Sequence, residues 1–168
     1  MPLEPPDQQH LKSAHGYIEL GMWREANAEL EEIDAFCRHL PEVLKARVRV
    51  YDGLQKWDAM QIVAIKLMRW NPNLPYWFIL AAYATRRAES LEKAGEILIE
   101  GEQRHPKDGT IQFNLACYES QMGNLERAKV HLKKATAAEP QFKQIALEDL
   151  DLEPLWESPP DPQHPNNQ

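Results

Sequence analysis

Apolar residues recur at spacings of three and four through Leu11–Leu20, Ala26–Phe36, Val43–Leu54, Ile62–Trp70, Tyr76–Ala84, Ala94–Leu98, Ile111–Met122 and Leu125–Ala135. That spacing puts them on one side of a helix, so each run predicts an amphipathic helix rather than a strand. Breakers separate the runs. Gly21 and Gly123 suit helix C-caps, and Pro41 and Pro75 suit first-turn positions. Ser90 stands before LEKAGEIL as an N-cap. The pattern predicts eight helices in four helix–turn–helix units, about 7–40, 41–74, 75–108 and 109–142.

The pattern also repeats. Pro72, Pro106 and Pro140 stand 34 residues apart. Trp23, Trp57, Leu91 and Leu125 keep the same period, as do Ala26, Met60, Ala94 and Ala128. Leu67, Gly101 and Ala135 form a further column. Self-similarity at this period is the signature of a helical repeat array. Two antiparallel helices pack closely only where one presents a small residue, which is what Ala116 and Ala128 offer in the last unit.

After Pro140 the chain reads QFKQIALEDLDLEPLWES, too apolar for a free tail. Residues 143–157 are therefore expected to cap the open face of the last repeat. A second reading has this acidic, aromatic segment lying in a groove of its own chain or of a neighbour. SPPDPQHPNNQ, over 158–168, is expected to be disordered or polyproline-like, and 1–6 frayed.

Composition narrows the function. A chain of 168 residues is one domain with room for a continuous core. A net charge of −7 disfavours nucleic acid and anionic membranes as partners. The longest apolar run, WFILAAYA, is far short of the ~20 residues of a membrane span. MPLEPPDQQ lacks the basic and apolar regions of a signal peptide, and Cys37 and Cys117 read as reduced, buried residues, so a cytoplasmic setting is expected.

The search for chemistry returns little. There is no Gly-rich phosphate loop, no CxxC, no HExxH and no nucleophile elbow. Cys37 and His39 are two ligands at most and read as an ordinary turn. Glu31/Glu32 and Asp149/Asp151 read as solvated carboxylates, and His131 as packed rather than functional. No enzyme activity, metal or cofactor is expected.

Leu115, Ala116, Gly123, Leu125, Ala128, Leu132, Ala135 and Pro140 together resemble the tetratricopeptide repeat (TPR) family. Ala14, Tyr17, Gly21, Trp23, Ala26 and Leu30 match it in the first unit, which has Arg38 where the family has proline. Ala82, Leu91, Ala94, Leu98, Gly101 and Pro106 match in the third. The second unit drifts furthest, with Val48 and Met60 at the small positions and Ala64 as compensation. The resemblance covers about 7–142 and implies an all-α, right-handed α-solenoid of about four helix–turn–helix units plus a C-terminal capping helix. NLACY together with ALEDLDLEPLW also resembles small, stand-alone bacterial TPR proteins without an assigned activity.

The family's first helices line a concave groove. Its groove positions fall here on Gln8, Leu11, His15 and Ile18; on Glu42, Lys45, Arg49 and Asp52; on Tyr76, Ile79, Tyr83, Arg86 and Arg87; and on Thr110, Phe113, Cys117, Ser120 and Gln121. Lys45, Arg49, Tyr76, Tyr83, Arg86, Arg87, Phe113 and Gln121 are the candidates for peptide binding. Arginine forks suit carboxylates, and Tyr and Arg dominate interface energies, so an acidic and apolar peptide or protein segment is the expected partner. The resemblance implies a non-enzymatic scaffold. His15 and Arg49 replace the two asparagines of the family's clamp for chaperone C-termini, which argues against that partner. The alternatives are a secretion-type or assembly chaperone for an apolar partner and a self-associating subunit. Trp70, Trp77 and Trp156 are the candidates for a homodimer contact.

Overall fold

The computed structural model describes residues 3–156, and the expected Pro-rich tail at 158–168 lies outside them. The described residues form helices α1 (Pro5–Glu19), α2 (Trp23–Glu32), α3 (Pro41–Gly53), α4 (Trp57–Trp70), α5 (Pro75–Ala88), α6 (Leu91–Arg104), α7 (Gly109–Gln121), α8 (Leu125–Ala138) and α9 (Phe142–Glu148). A 3₁₀ helix (Leu150–Leu155) follows. There is no strand among the described residues.

The period is visible in the helix ends. Trp23, Trp57, Leu91 and Leu125 each open the second helix of a pair. Pro72, Pro106 and Pro140 each fall two residues beyond such a helix. Gly21 and Gly123 adopt φ of +70° and +79°, and Gln55, on the same 34-residue column, adopts φ of 55°. The N–H groups of Met22, Lys56 and Asn124 then bond back to the carbonyls of Tyr17, Tyr51 and Glu119 at 2.8–2.9 Å. This is the Schellman closure, which needs one left-handed residue. The fourth turn differs: Glu89 stays at φ −127°, and Ser90 Oγ accepts the Lys93 N–H at 3.2 Å.

Two expectations are corrected. Leu3 is buried and α1 begins at Pro5, so the described part of 1–6 is packed rather than frayed. Helix α2 stops at Glu32, and Phe36 lies beyond it, 82% exposed. Arg38 supplies the physical reason. Its guanidinium donates from Nε to the Ile33 carbonyl at 2.7 Å, and from a second nitrogen to the Glu31 carbonyl. The arginine closes the helix that proline would otherwise end.

The chain divides into two compact units, one through Glu100 and one from Gly101. In the first, Ala14, Ile18, Ala26, Leu30, Val43 and Val50 form one core, and Met60, Ala64, Leu67, Phe78 and Ala81 with Val48 form another. Val48 and Met60 are thus accommodated beside Ala64. In the second, Ala116, Ala128 and Ala135 are fully buried, and Leu152 of the 3₁₀ helix is too.

Candidate functional site

Helices α1, α3 and α5 carry the candidate residues of the first unit. Lys45, on α3, holds its Nζ 5.8 Å from the rings of both Trp70 and Trp77. Tyr76 meets Trp77 edge-on at 5.0 Å. Tyr76 is 57% and Trp70 56% exposed. One turn along α3, Arg49 pairs with Glu19 of α1 at 2.9 Å. Both side chains are largely in solvent, so the pair contributes only ~0–1 kcal/mol and yields easily to another carboxylate. Further along, Tyr83 packs edge-on against Trp57 at 6.0 Å, and its hydroxyl lies 3.4 Å from Asp52 Oδ1. Arg87 stacks over the Trp57 and Tyr83 rings at 5.2 and 5.5 Å. A hollow of about 380 Å³ adjoins this cluster, walled by Gln55–Ala59, Arg87 and Ala88. Arg86 is half-buried, and Ile18, expected in the groove, is core.

The second unit is different. Phe113 is buried, its ring stacked on Phe142 at 4.6 Å and 16°. Gln121 Nε2 donates to the Asp151 carbonyl at 3.0 Å, and Cys117 Sγ lies 3.9 Å from Asp149 Oδ2. Phe142, Asp149 and Asp151 therefore lie against the α7 positions expected to be open. Phe113 is corrected from an open groove position to a contact of the chain's own C-terminal segment, while Gln121 stays exposed beside that segment. Cys117 and Ser120 are buried. The physical reason is the apolar content of 142–155: Phe142, Ala146 and Leu152 are buried where the segment packs against α7 and α8.

Cys117, Asp149 and Asp151 bring three ligand atoms within 4.8 Å of one another. Asp149 is already occupied as the cap of the 3₁₀ helix, accepting the Asp151 N–H at 2.9 Å. Cys37 is buried, burial first and then Asp7 raising its thiol pKa. It joins no metal-like cluster with His39 among the described residues.

No family model matches the chain, and no curated protein sequence does. Solved structures do. MamA MSR-1 superposes with a TM-score of 0.68 at 21% identity, over 79% of this chain and 76% of that one. A MamA RS-1 double mutant superposes at 0.72 with 14% identity, over 82% and 78%. TTC0263, a thermophilic TPR protein in Thermus thermophilus, superposes at 0.61 with 18% identity, over 89% and 86%. The fold is that of the tetratricopeptide repeat.

Within that TPR fold, sequence reasoning missed two polar contacts. Arg47 is buried, bonded to Glu31 Oε1 at 2.7 Å, to Tyr51 Oη at 3.2 Å and to the Leu30 carbonyl at 3.0 Å. Glu31 is solvent-exposed, as expected, and is also the partner of Arg47, whose hydrogen bond holds the Glu31 pKa down. The second is a relay in the last TPR unit. His131 Nδ1–H donates to Gln112 Oε1 at 2.8 Å, and Gln112 Nε2 donates to Glu102 Oε1 at 2.9 Å. Lys134 Nζ meets the same oxygen at 2.8 Å. Arg47 and Gln112 fall at apolar positions of their helices, which is the signal that a buried polar partner is required.

Proposed function

We propose that this chain is a non-enzymatic TPR scaffold that binds an acidic, apolar segment of a partner protein along the α1, α3 and α5 face of its first unit. Lys45, Arg49, Tyr76, Tyr83, Arg86 and Arg87 are the contact residues of this reading. The observation that carries it is the pairing of cations on α3 and α5 with aromatic rings: Lys45 beside exposed Trp70 and buried Trp77, and Arg87 over the half-buried Trp57 and Tyr83. On a protein of net charge −7, such a concentration of cationic and aromatic side chains is a local feature with a local use. The exposed Arg49–Glu19 pair supports it further, since a partner carboxylate replaces Glu19 at little cost.

The test is a pull-down from native lysate, analysed by mass spectrometry. Wild type is run beside a Tyr83→Ala/Arg86→Ala/Arg87→Ala variant and a Lys45→Ala/Arg49→Ala variant. Loss of interface aromatics and arginines should weaken capture of the partner by about tenfold or more. Identical captures by all three proteins would exclude this face.

A further inference from the structure

One groove in the second unit is apolar and carries charge of a single sign. Residues of α8, α9 and the 3₁₀ helix form it, and its volume is about 410 Å³. Leu132, Ala146, Leu155 and Trp156 supply the apolar lining. Lys129, Lys133 and Lys143 supply the charge. Ala146 is buried and Leu132 and Leu155 are half-buried, whereas the three lysines are exposed, so the apolar part of the lining lies deeper than the cationic part. Lys129 reaches Glu126 at 2.8 Å, a pair of exposed side chains that another anion displaces easily. Lys133 and Lys143 have no carboxylate partner among the described residues. The Thr136 hydroxyl, also in the lining, donates to the Lys133 carbonyl at 3.1 Å. The Trp156 indole is fixed by its Nε1–H, which donates to the Ala146 carbonyl at 3.3 Å.

We infer that this groove binds a small amphipathic carboxylate, a free molecule with one anionic end and an apolar body. The body lies against Leu132, Ala146, Leu155 and the Trp156 ring, and the carboxylate meets Lys133 and Lys143. Three observations select that occupant. The volume falls within the ~300–1,000 Å³ of small-molecule sites, which share a mostly apolar lining with few polar groups. Every charged group in the lining is a cation and the Thr136 proton is already committed, so the groove offers ammonium donors to an anionic acceptor. On a protein of net charge −7 this is a local reversal of sign that attracts an anion. A neighbouring hollow that shares Trp156 is lined by Glu148, Asp149 and Glu153. An acidic peptide long enough to continue past Trp156 into that hollow would meet these carboxylates, whereas a short anion that ends at the indole does not. None of the groove's residues belongs to the set assigned to partner binding, so the two readings stand or fall independently.

The experiment is isothermal titration calorimetry on the full chain with decanoate as the probe. Decan-1-ol and decyltrimethylammonium carry the same apolar chain with a neutral and a cationic head. The wild type is expected to bind decanoate about tenfold tighter than decan-1-ol and decyltrimethylammonium least. Decanoate should change the tryptophan fluorescence, and Trp156→Phe should remove that change. A Lys133→Glu/Lys143→Glu variant is expected to bind decanoate about tenfold more weakly and decan-1-ol as wild type does. Both lysines are exposed, and circular dichroism checks that the variant is folded. Three results would overturn the inference: no binding of decanoate, equal affinity for all three amphiphiles, or decanoate binding that the lysine variant leaves unchanged. Binding of wild type to anionic phospholipid vesicles without binding of free decanoate would overturn it too, assigning the lysines to a membrane surface. The Tyr83→Ala/Arg86→Ala/Arg87→Ala variant should bind decanoate as wild type does.

Discussion

At the scale of single residues, one column shows backbone conformation and side chain in conflict. Gly21 and Gly123 take positive φ without strain, whereas Gln55 takes it at the same point of the repeat with a β-carbon in place. A left-handed residue other than glycine costs about 1 kcal/mol, part of which a glycine returns through its freer unfolded chain. Gln55→Gly is therefore expected to stabilise the protein by roughly 0.5 kcal/mol, and Gly123→Ala to destabilise it by about 1 kcal/mol. A β-carbon at Gly123 would meet nothing within 4 Å, so the backbone alone sets that cost. Urea unfolding of both variants measures it, and a Gln55→Gly midpoint below wild type would contradict the assignment. Arg38 is the converse case, a residue off the repeat pattern whose side chain takes the place of the missing proline.

At the scale of elements, stability comes from close approach of paired helices. Ala128 on α8 and Ala116 on α7 are both fully buried in the unit that those helices build. Ala128→Leu adds side-chain volume where none is free and should cost ~1–3 kcal/mol. A melting temperature unchanged from wild type would show that this position is not the contact. Gly53 marks a contact that periodicity does not show: an added β-carbon would stand 2.2 Å from the ring of Trp23, so the end of α3 lies directly against the start of α2. The Phe113–Phe142 stack has the same character, because the two rings come from segments whose sequence spacing carries no sign of their meeting.

At the scale of the whole molecule, a pH dependence is set by His131. Burial lowers its pKa below the ordinary 6.5, and the nearby Glu102 carboxylate only partly offsets this. Lys134 and Arg127 oppose protonation as well, while Glu119 favours it. The unfolded chain therefore takes up a proton near the ordinary value while the folded chain resists it. The stability that neutral His131 contributes is complete above that value and is lost as pH falls through it toward the lower folded pKa. The melting temperature of wild type should drop between pH 7.5 and 5.5 by more than that of His131→Gln, as followed by circular dichroism in buffers of constant ionic strength. Equal drops in the two proteins would assign the effect to other groups.

The sequence by itself determined the helices, their pairing and their period, because turn chemistry and small-residue columns act locally and recur every 34 residues. Trp23, Trp57, Leu91 and Leu125 could be aligned on paper and each opens a helix. Lys45, Arg49, Tyr76, Tyr83, Arg86 and Arg87 could be assigned a side of their helices for the same reason, because a position in the repeat fixes it. Trp57 and Trp70, which meet Arg87 and Lys45 from α4, could not be placed beside them that way. Only the tertiary structure decided where the C-terminal segment lies. Its apolar residues demanded a cover but could not specify which face, and packing chose α7, covering Phe113 and bonding Gln121. It also decided that buried Arg47 would pair with Glu31, and buried His131 with Gln112, which in turn meets Glu102. Those pairings join side chains of different helices, and nothing in either helix alone determines which polar partner burial will supply.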